Sequence, residues 1–138
     1  MSLLYCDSSA LVKLVHEEAE SAALRTFIIE CKQGPGLTIA SSALSHTEVL
    51  RAVSRSSQAS VADAKRMLEG ITLIDISPEV LERAGLLTPV ALRSLDAIHL
   101  ASVLPESAGL IAVVTYDARM SQAAREVGLP VASPGMAA

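Results

Sequence analysis

Apolar residues fall along this chain in two rhythms. Five short, largely apolar runs stand out: Leu3 to Cys6, "LTIAS" from Leu37, "ITLIDI" from Ile71, "LIAVVT" from Leu110 and "LPVAS" from Leu129. Runs of this length bounded by turn residues predict strands buried on both faces. Between them, apolar residues recur three and four positions apart, which predicts helices. The first helix follows the first strand directly, capped by Ser8 or Ser9 and carrying Leu11, Leu14 and Val15. A second runs from Glu17 to Gln33 with Leu24, Phe27, Ile28 and Cys31 on one side, and "GPG" at 34–36 stops it. A third covers 41–55, where Ser45-His46-Thr47-Glu48 matches an S-x-x-E capping box. Helices are also predicted over 60–70, over 77–87 with Ser77 as cap and Pro78 in the first turn, over 94–104, and over 116–128 closed by Gly128.

Strand alternating with helix implies an α/β fold of three layers, helices on both faces of a mostly parallel sheet of four to five strands. One domain is expected over 1–134, with 135–138 as a loose tail. At 138 residues such a domain buries about two thirds of its unfolded surface.

Composition narrows what that domain can do. Hydrophobic residues make up 51% of the chain, yet only Tyr5, Phe27 and Tyr116 are aromatic, which disfavours recognition by stacked rings. Mean hydropathy is high for so small a chain, so some apolar surface is expected to be covered by a second copy or a partner. A net charge of -4 excludes a broad basic face gripping duplex DNA. It leaves room for local phosphate contact, because eight of the eleven basic residues are Arg. Two cysteines, Cys6 and Cys31, read as reduced thiols of a cytoplasmic protein, and no apolar run approaches the roughly 18 residues of a membrane span.

Of five aspartates, Asp7, Asp96 and Asp117 each stand beside a predicted helix start, and Glu48 lies one turn into a helix that follows a strand. Acids belong at helix starts for structural reasons, as caps and as partners of the helix dipole. In a doubly wound sheet, however, helices that follow strands begin at the carboxyl edge, where such folds place ligands. Four carboxylates meeting there would supply the hard oxygens that Mg²⁺ or Mn²⁺ requires, and metals held this way carry phosphodiester hydrolysis.

The stretches "YCDSSALVKL", "TEVLRA", "LRSLDAIHLA" and "VVTYDARM", in that order across nearly the whole chain, resemble PIN-domain proteins, specifically VapC-like toxins of bacterial type II toxin-antitoxin systems. The D-A-I-H-L-A run followed by T-Y-D is the more diagnostic half. The resemblance implies a metal-dependent endoribonuclease with an acidic Mg²⁺ site that Mn²⁺ can also fill. By motif match, Asp7, Glu48, Asp96 and Asp117 hold the metal and carry catalysis, with Ser8 and Thr115 as hydroxyls that orient a ligand or water. One or two ions would acidify a water that attacks phosphorus in line, leaving 5'-phosphate and 3'-hydroxyl ends. The resemblance also implies a homodimer and a small cognate antitoxin, which lays a segment across the acidic pocket with an arginine facing the carboxylates.

Neighbouring residues have quieter readings. Arg51, three after Glu48, and Arg93, three before Asp96, are expected to hold their carboxylates if the helices extend that far, with phosphate contact as the lesser role. His99, flanked by Ile98 and Leu100, reads as a satisfied core residue and not as a catalytic one. Cys6 points away from Asp7 if the strand alternates, and His16 and His46 lack ligand spacing. Among rival functions, aspartyl phosphoryl transfer wants a second acid beside Asp7 and a late lysine, but the lysines are Lys13, Lys32 and Lys65. A G-x-S-x-G elbow and glycine-rich nucleotide fingerprints are missing. A PIN-type nuclease of RNA processing and a non-catalytic PIN-like scaffold are the remaining alternatives.

Overall fold

The computed structural model describes residues 2–56 and 60–136. Strands β1 (Ser2–Cys6), β2 (Leu37–Ser42), β3 (Thr72–Ile74), β4 (Leu110–Val114) and β5 (Val131–Ala132) pair in the order β3-β2-β1-β4-β5, every pair parallel. The helices are α1 (Ser8–Val12), α2 (Ser21–Cys31), α3 (Leu44–Ser54), α4 (Val61–Glu69), α5 (Pro78–Leu86), α6 (Ser94–Val103) and α7 (Ala118–Glu126), with a 3-10 helix at Leu104–Gly109. The expected three-layer arrangement is present.

Alternation along the central strands divides the core in two. Leu4 and Cys6 of β1 and Ala112 and Val114 of β4 face α1 to α4, where they meet Leu11, Leu24, Val49, Val53 and Leu68. Tyr5 and Val113 face the other way, onto Leu100 and Val103 of α6 and Met120 and Ala123 of α7. Both faces of the central strands are covered, which is why their sequences read as unbroken apolar runs.

Several element limits differ from those the sequence predicts. The first helix ends at Val12, short of Leu14 and Val15, and its cap is Asp7 rather than Ser8 or Ser9: the Asp7 carboxylate accepts from the Ala10 amide at 3.1 Å. The chain reverses there, held by Lys13, whose ammonium meets Glu20 at 2.7 Å and Glu18 at 3.5 Å. The second helix starts only at Ser21, because the Ser21 hydroxyl accepts from the Glu18 amide and closes a turn over 18–21. The capping box at Ser45 does not form. The third helix begins at Leu44, the Ser45 hydroxyl is spent on Ser41 at 2.6 Å, and Glu48 turns elsewhere. The cap at Ser77 stands as expected, accepting the Val80 amide, and Ser60 caps the fourth helix in the same way through the Asp63 amide. β3 is shorter than its apolar run because it is an edge strand paired only with β2.

The tail expected from 135 is partly docked. Gly135 adopts φ 90°, and a Cβ there would stand 3.0 Å from that of Ala23 on α2, a position that favours glycine on both counts. Of the predicted tail, residues 137–138 lie outside the described residues. Among the described residues no helix is long and apolar enough to cross a membrane.

Candidate active site

The strand order reverses between β1 and β4, and ligands of open parallel sheets bind outside the carboxyl ends of the strands at such a switch. Asp7 is the first residue past β1, and its amide donates to the Val114 carbonyl of β4 at 3.1 Å. Asp117 lies three residues past the end of β4 and caps α7, accepting from the Arg119 amide at 2.8 Å and the Met120 amide at 3.3 Å. Glu48 comes from α3, which follows β2. Asp96 arrives differently. Its helix α6 follows another helix, α5, and reaches the same edge because it must run back down the sheet to feed β4.

A cleft of about 320 Å³ opens at that edge, lined by Asp7, Glu48, Asp96 and Asp117 together with Ser8 and Arg93. The structure thus brings together the four acids that the motifs single out. As placed, no three acidic, histidine or cysteine side chains among the described residues stand close enough to ring a single ion.

Asp7 is the most deeply set of the four at 4% exposure. The Ser9 hydroxyl donates to one carboxylate oxygen at 2.6 Å, and the Thr115 hydroxyl donates to the other. Thr115 also accepts from the Asp117 amide at 3.1 Å, and Ser9 from the Tyr116 amide at 3.0 Å, so two hydroxyls tie Asp7 to the turn that carries Asp117. Burial holds the Asp7 carboxyl above its ordinary value, with the bonds from Ser9 and Thr115 working against that rise. Asp96 is also raised, by burial first and then by the charge of Asp117, with Asp7 adding to it. Thr115, expected to orient a ligand or water, is here bonded to the Asp7 carboxylate, and Ser9, not Ser8, is the serine that shares that role at Asp7. Ser8 lines the cleft without touching it.

Glu48 is held by a residue read from the sequence as core. His99 is 2% exposed, and its Nε2 lies 2.8 Å from Glu48 Oε1 while its Nδ1 lies 2.7 Å from the Tyr5 hydroxyl. One arrangement satisfies every atom: Tyr5 donates to Nδ1, and Nε2 donates to the carboxylate. His99 is therefore a satisfied core residue that also positions a cleft carboxylate. The signal was its place in "DAIHLA", one turn beyond Asp96, which sets both on the same side of α6.

The roles expected for the two arginines are not observed. No ion pair among the described residues joins Arg51 to Glu48 or Arg93 to Asp96. His99 has taken Glu48, and Arg93 stands in extended backbone just before α6, where helical spacing does not apply. Cys6 is buried in the face opposite Tyr5, and burial, aided by the charge of Asp7, pushes its thiol up to about 12. It is inert as a nucleophile at neutral pH.

Tyr5→Phe tests the positioning chain directly. The change leaves a buried imidazole nitrogen without its partner, for an expected loss of about 1–3 kcal/mol of stability in urea melts. An unchanged midpoint would show that the hydroxyl contributes nothing to holding His99.

A parallel α/β/α sheet with four carboxylates at its switch point is a PIN-type architecture, and residues 4–126 match the family described as PIN domain. The chain belongs to that family, and its relatives place it among VapC-like members. It is 40% identical over 134 residues to Ribonuclease VapC47 of Mycobacterium tuberculosis (strain CDC 1551 / Oshkosh), covering 96% of this chain and 98% of that one. Ribonuclease VapC46 of Mycobacterium tuberculosis (strain ATCC 25618 / H37Rv) is also 40% identical over 134 residues, with 97% and 99% covered. Among solved structures, Mycobacterium tuberculosis VapC20, a sarcin-ricin loop cleaving toxin, superposes with a TM-score of 0.67 over 95% of this chain and 99% of that one at 13% identity. VapBC2 from Rickettsia felis, bound to a DNA fragment from its promoter, gives 0.66 over 94% and 96% at 14% identity.

Proposed function

We propose that this protein is a divalent-metal-dependent endoribonuclease, the toxin of a toxin-antitoxin pair. The observation that carries the reading is the meeting of Asp7, Glu48, Asp96 and Asp117 in one cleft at the switch point of the sheet. The relatives named ribonucleases, alike over nearly their whole length, support RNA as the substrate.

The donor set fits Mg²⁺ or Mn²⁺: the four side chains offer only hard oxygens, and Asp96, raised first by burial, is raised further by the charges of Asp117 and Asp7. Because no three of them ring one point as placed, the grip requires an inward turn, foremost of Asp96, which takes no part in the bonds that hold Asp7, Glu48 and Asp117. A bound cation would acidify water and offset charge on the scissile phosphate. The remaining work falls to the chain. Ser9, Thr115 and the Ala10 amide hold Asp7 in one orientation, and His99 holds Glu48 across from it. The cap of α7 fixes Asp117. Attack is assigned to water, the nucleophile that such a cation would activate.

Partners belong to the same reading. A solved toxin-antitoxin complex from Klebsiella pneumoniae superposes with a TM-score of 0.59 over 85% of this chain and 87% of that one at 21% identity, which supports an antitoxin as partner. Part of the apolar surplus is Leu81, Leu86 and Val90, all half exposed or more, which a second copy in a homodimer would cover. Sedimentation at micromolar concentration tests that point, with a monodisperse monomer as the contrary result.

The decisive experiment incubates the purified chain with total RNA in EDTA, Mg²⁺ or Mn²⁺. Cleavage is expected only with metal, leaving 5'-phosphate ends. Equal cleavage in EDTA would overturn the metal site, and the absence of cleavage under all three conditions would favour a binding scaffold.

A further inference from the structure

The acidic cleft does not stand alone at its edge of the sheet. At Ser8, Ser9, Glu48 and Leu95 it runs into a groove of about 540 Å³ that adds Arg51 and Arg55. At a different part of its lining, Arg93 belongs both to the cleft and to a second groove of about 380 Å³, whose further cation is Arg119. All four arginines are exposed, and among the described residues none of them has an ion pair.

That pattern contrasts with other cations of the chain. Arg25 is paired with Glu17, Arg66 with Asp63, and Lys13, which lines the first groove, is held by Glu18 and Glu20 against the Tyr116 ring. Guanidinium groups without an ion pair, of which Arg93 acts on Asp96 through its charge, therefore line both grooves that adjoin the four carboxylates. With a net charge of -4 the chain has no general attraction for polyanions, so these local forks supply it.

We infer that a single RNA strand crosses the cleft along both grooves, with Arg51 and Arg55 holding phosphates on one side of the scissile bond and Arg93 and Arg119 on the other. The inference rests on the ribonuclease reading and adds the path of the substrate. A single strand fits better than a duplex because the cations lie in two grooves separated by acids rather than on one broad face. With Tyr116 the only aromatic in either groove, the strand is gripped by its backbone more than by stacking of its bases.

The test measures binding apart from cleavage. A fluorescein-labelled, mixed-sequence 12-nucleotide single-stranded RNA is titrated in EDTA between 50 and 200 mM KCl against the full chain. The variants are Arg51→Gln/Arg55→Gln, Arg93→Gln/Arg119→Gln and, as a control that removes the same two charges away from both grooves, Lys32→Gln/Lys65→Gln. Each phosphate contact contributes about 0.7 to the salt slope for single strands, so each double arginine variant is expected to lower the slope by about 1.4 while the control lowers it little. Equal slopes in all four proteins overturn the path, as does failure of the wild-type chain to bind. Normal RNA binding combined with loss of a co-expressed small partner protein would assign the arginines to that partner instead and also overturn it. The two readings fail separately: metal-dependent cleavage unaffected by the arginine changes sinks the path alone, whereas arginine-dependent binding without cleavage under any metal sinks the nuclease alone.

Discussion

Asp96→Asn is expected to lower metal-dependent RNA cleavage about a thousandfold or more and to relieve the growth arrest that expression without an antitoxin should cause. The substitution keeps the size of the side chain and removes one of the four charges lining the cleft. Metal-assisted stabilisation of a phosphoryl transition state is worth several kcal/mol, and about 4 kcal/mol corresponds to a thousandfold in rate. Asp7→Asn and Asp117→Asn are expected to behave alike, because each removes an oxygen donor from the same cleft. Initial rates on total RNA and colony counts after induction provide the two readouts. Rates within tenfold of wild type in all three variants would remove these acids from the chemistry.

Without metal, Asp96→Asn should leave the protein as stable as wild type or more so. Asp7 and Asp96 have carboxyls held above their ordinary values, by burial first in both cases and by neighbouring acids in the second. A carboxyl raised in the folded state binds its proton more tightly there than in the unfolded chain. Its contribution is therefore favourable below the unfolded value and is lost as pH rises through the folded one, so at neutral pH the charge is a net cost. In EDTA at pH 7, Asp96→Asn should melt at or above the wild-type temperature, and acidification should close the gap. Millimolar Mn²⁺ should reverse the order. At ten times the dissociation constant it stabilises wild type by about 1.4 kcal/mol, which is on the order of 5 °C for a chain of this size, and it stabilises the variant much less. Equal shifts in all proteins, or none, would mean that the acids are caps and not a cation site.

Asp7 shows why both readings of an acid at a helix start can hold together. Its carboxylate does cap α1 through the Ala10 amide, and it also lines the cleft with three other acids. Capping uses one oxygen lone pair of several, so a structural role leaves donor capacity to spare. The same holds for Asp117 on α7.

Much of this was legible in one dimension because it depends on local period and order. Unbroken apolar runs between helical stretches specify a parallel sheet covered on both faces, and an acid directly after such a run must sit at the carboxyl edge. Asp7 and Asp117 could be placed by that rule, and Glu48 by its place in the first turns of a helix that follows a strand. Asp96 could not, since α6 follows a helix; only the route of the chain back to β4 carries it to the same edge. What spacing misjudged were side-chain partners. Ser45 and Glu48 have the letters of a capping box, but Ser41 and His99 compete for them from other elements, and buried partners win over a local bond at a solvated helix end. Arg51 and Arg93 lost their expected carboxylates in the same way, one to His99 and one to an extended backbone before α6. A hydrogen bond such as that between Tyr5 and His99 joins residues 94 positions apart, and no local pattern encodes which distant atom will be nearest once the two helical layers close on the sheet.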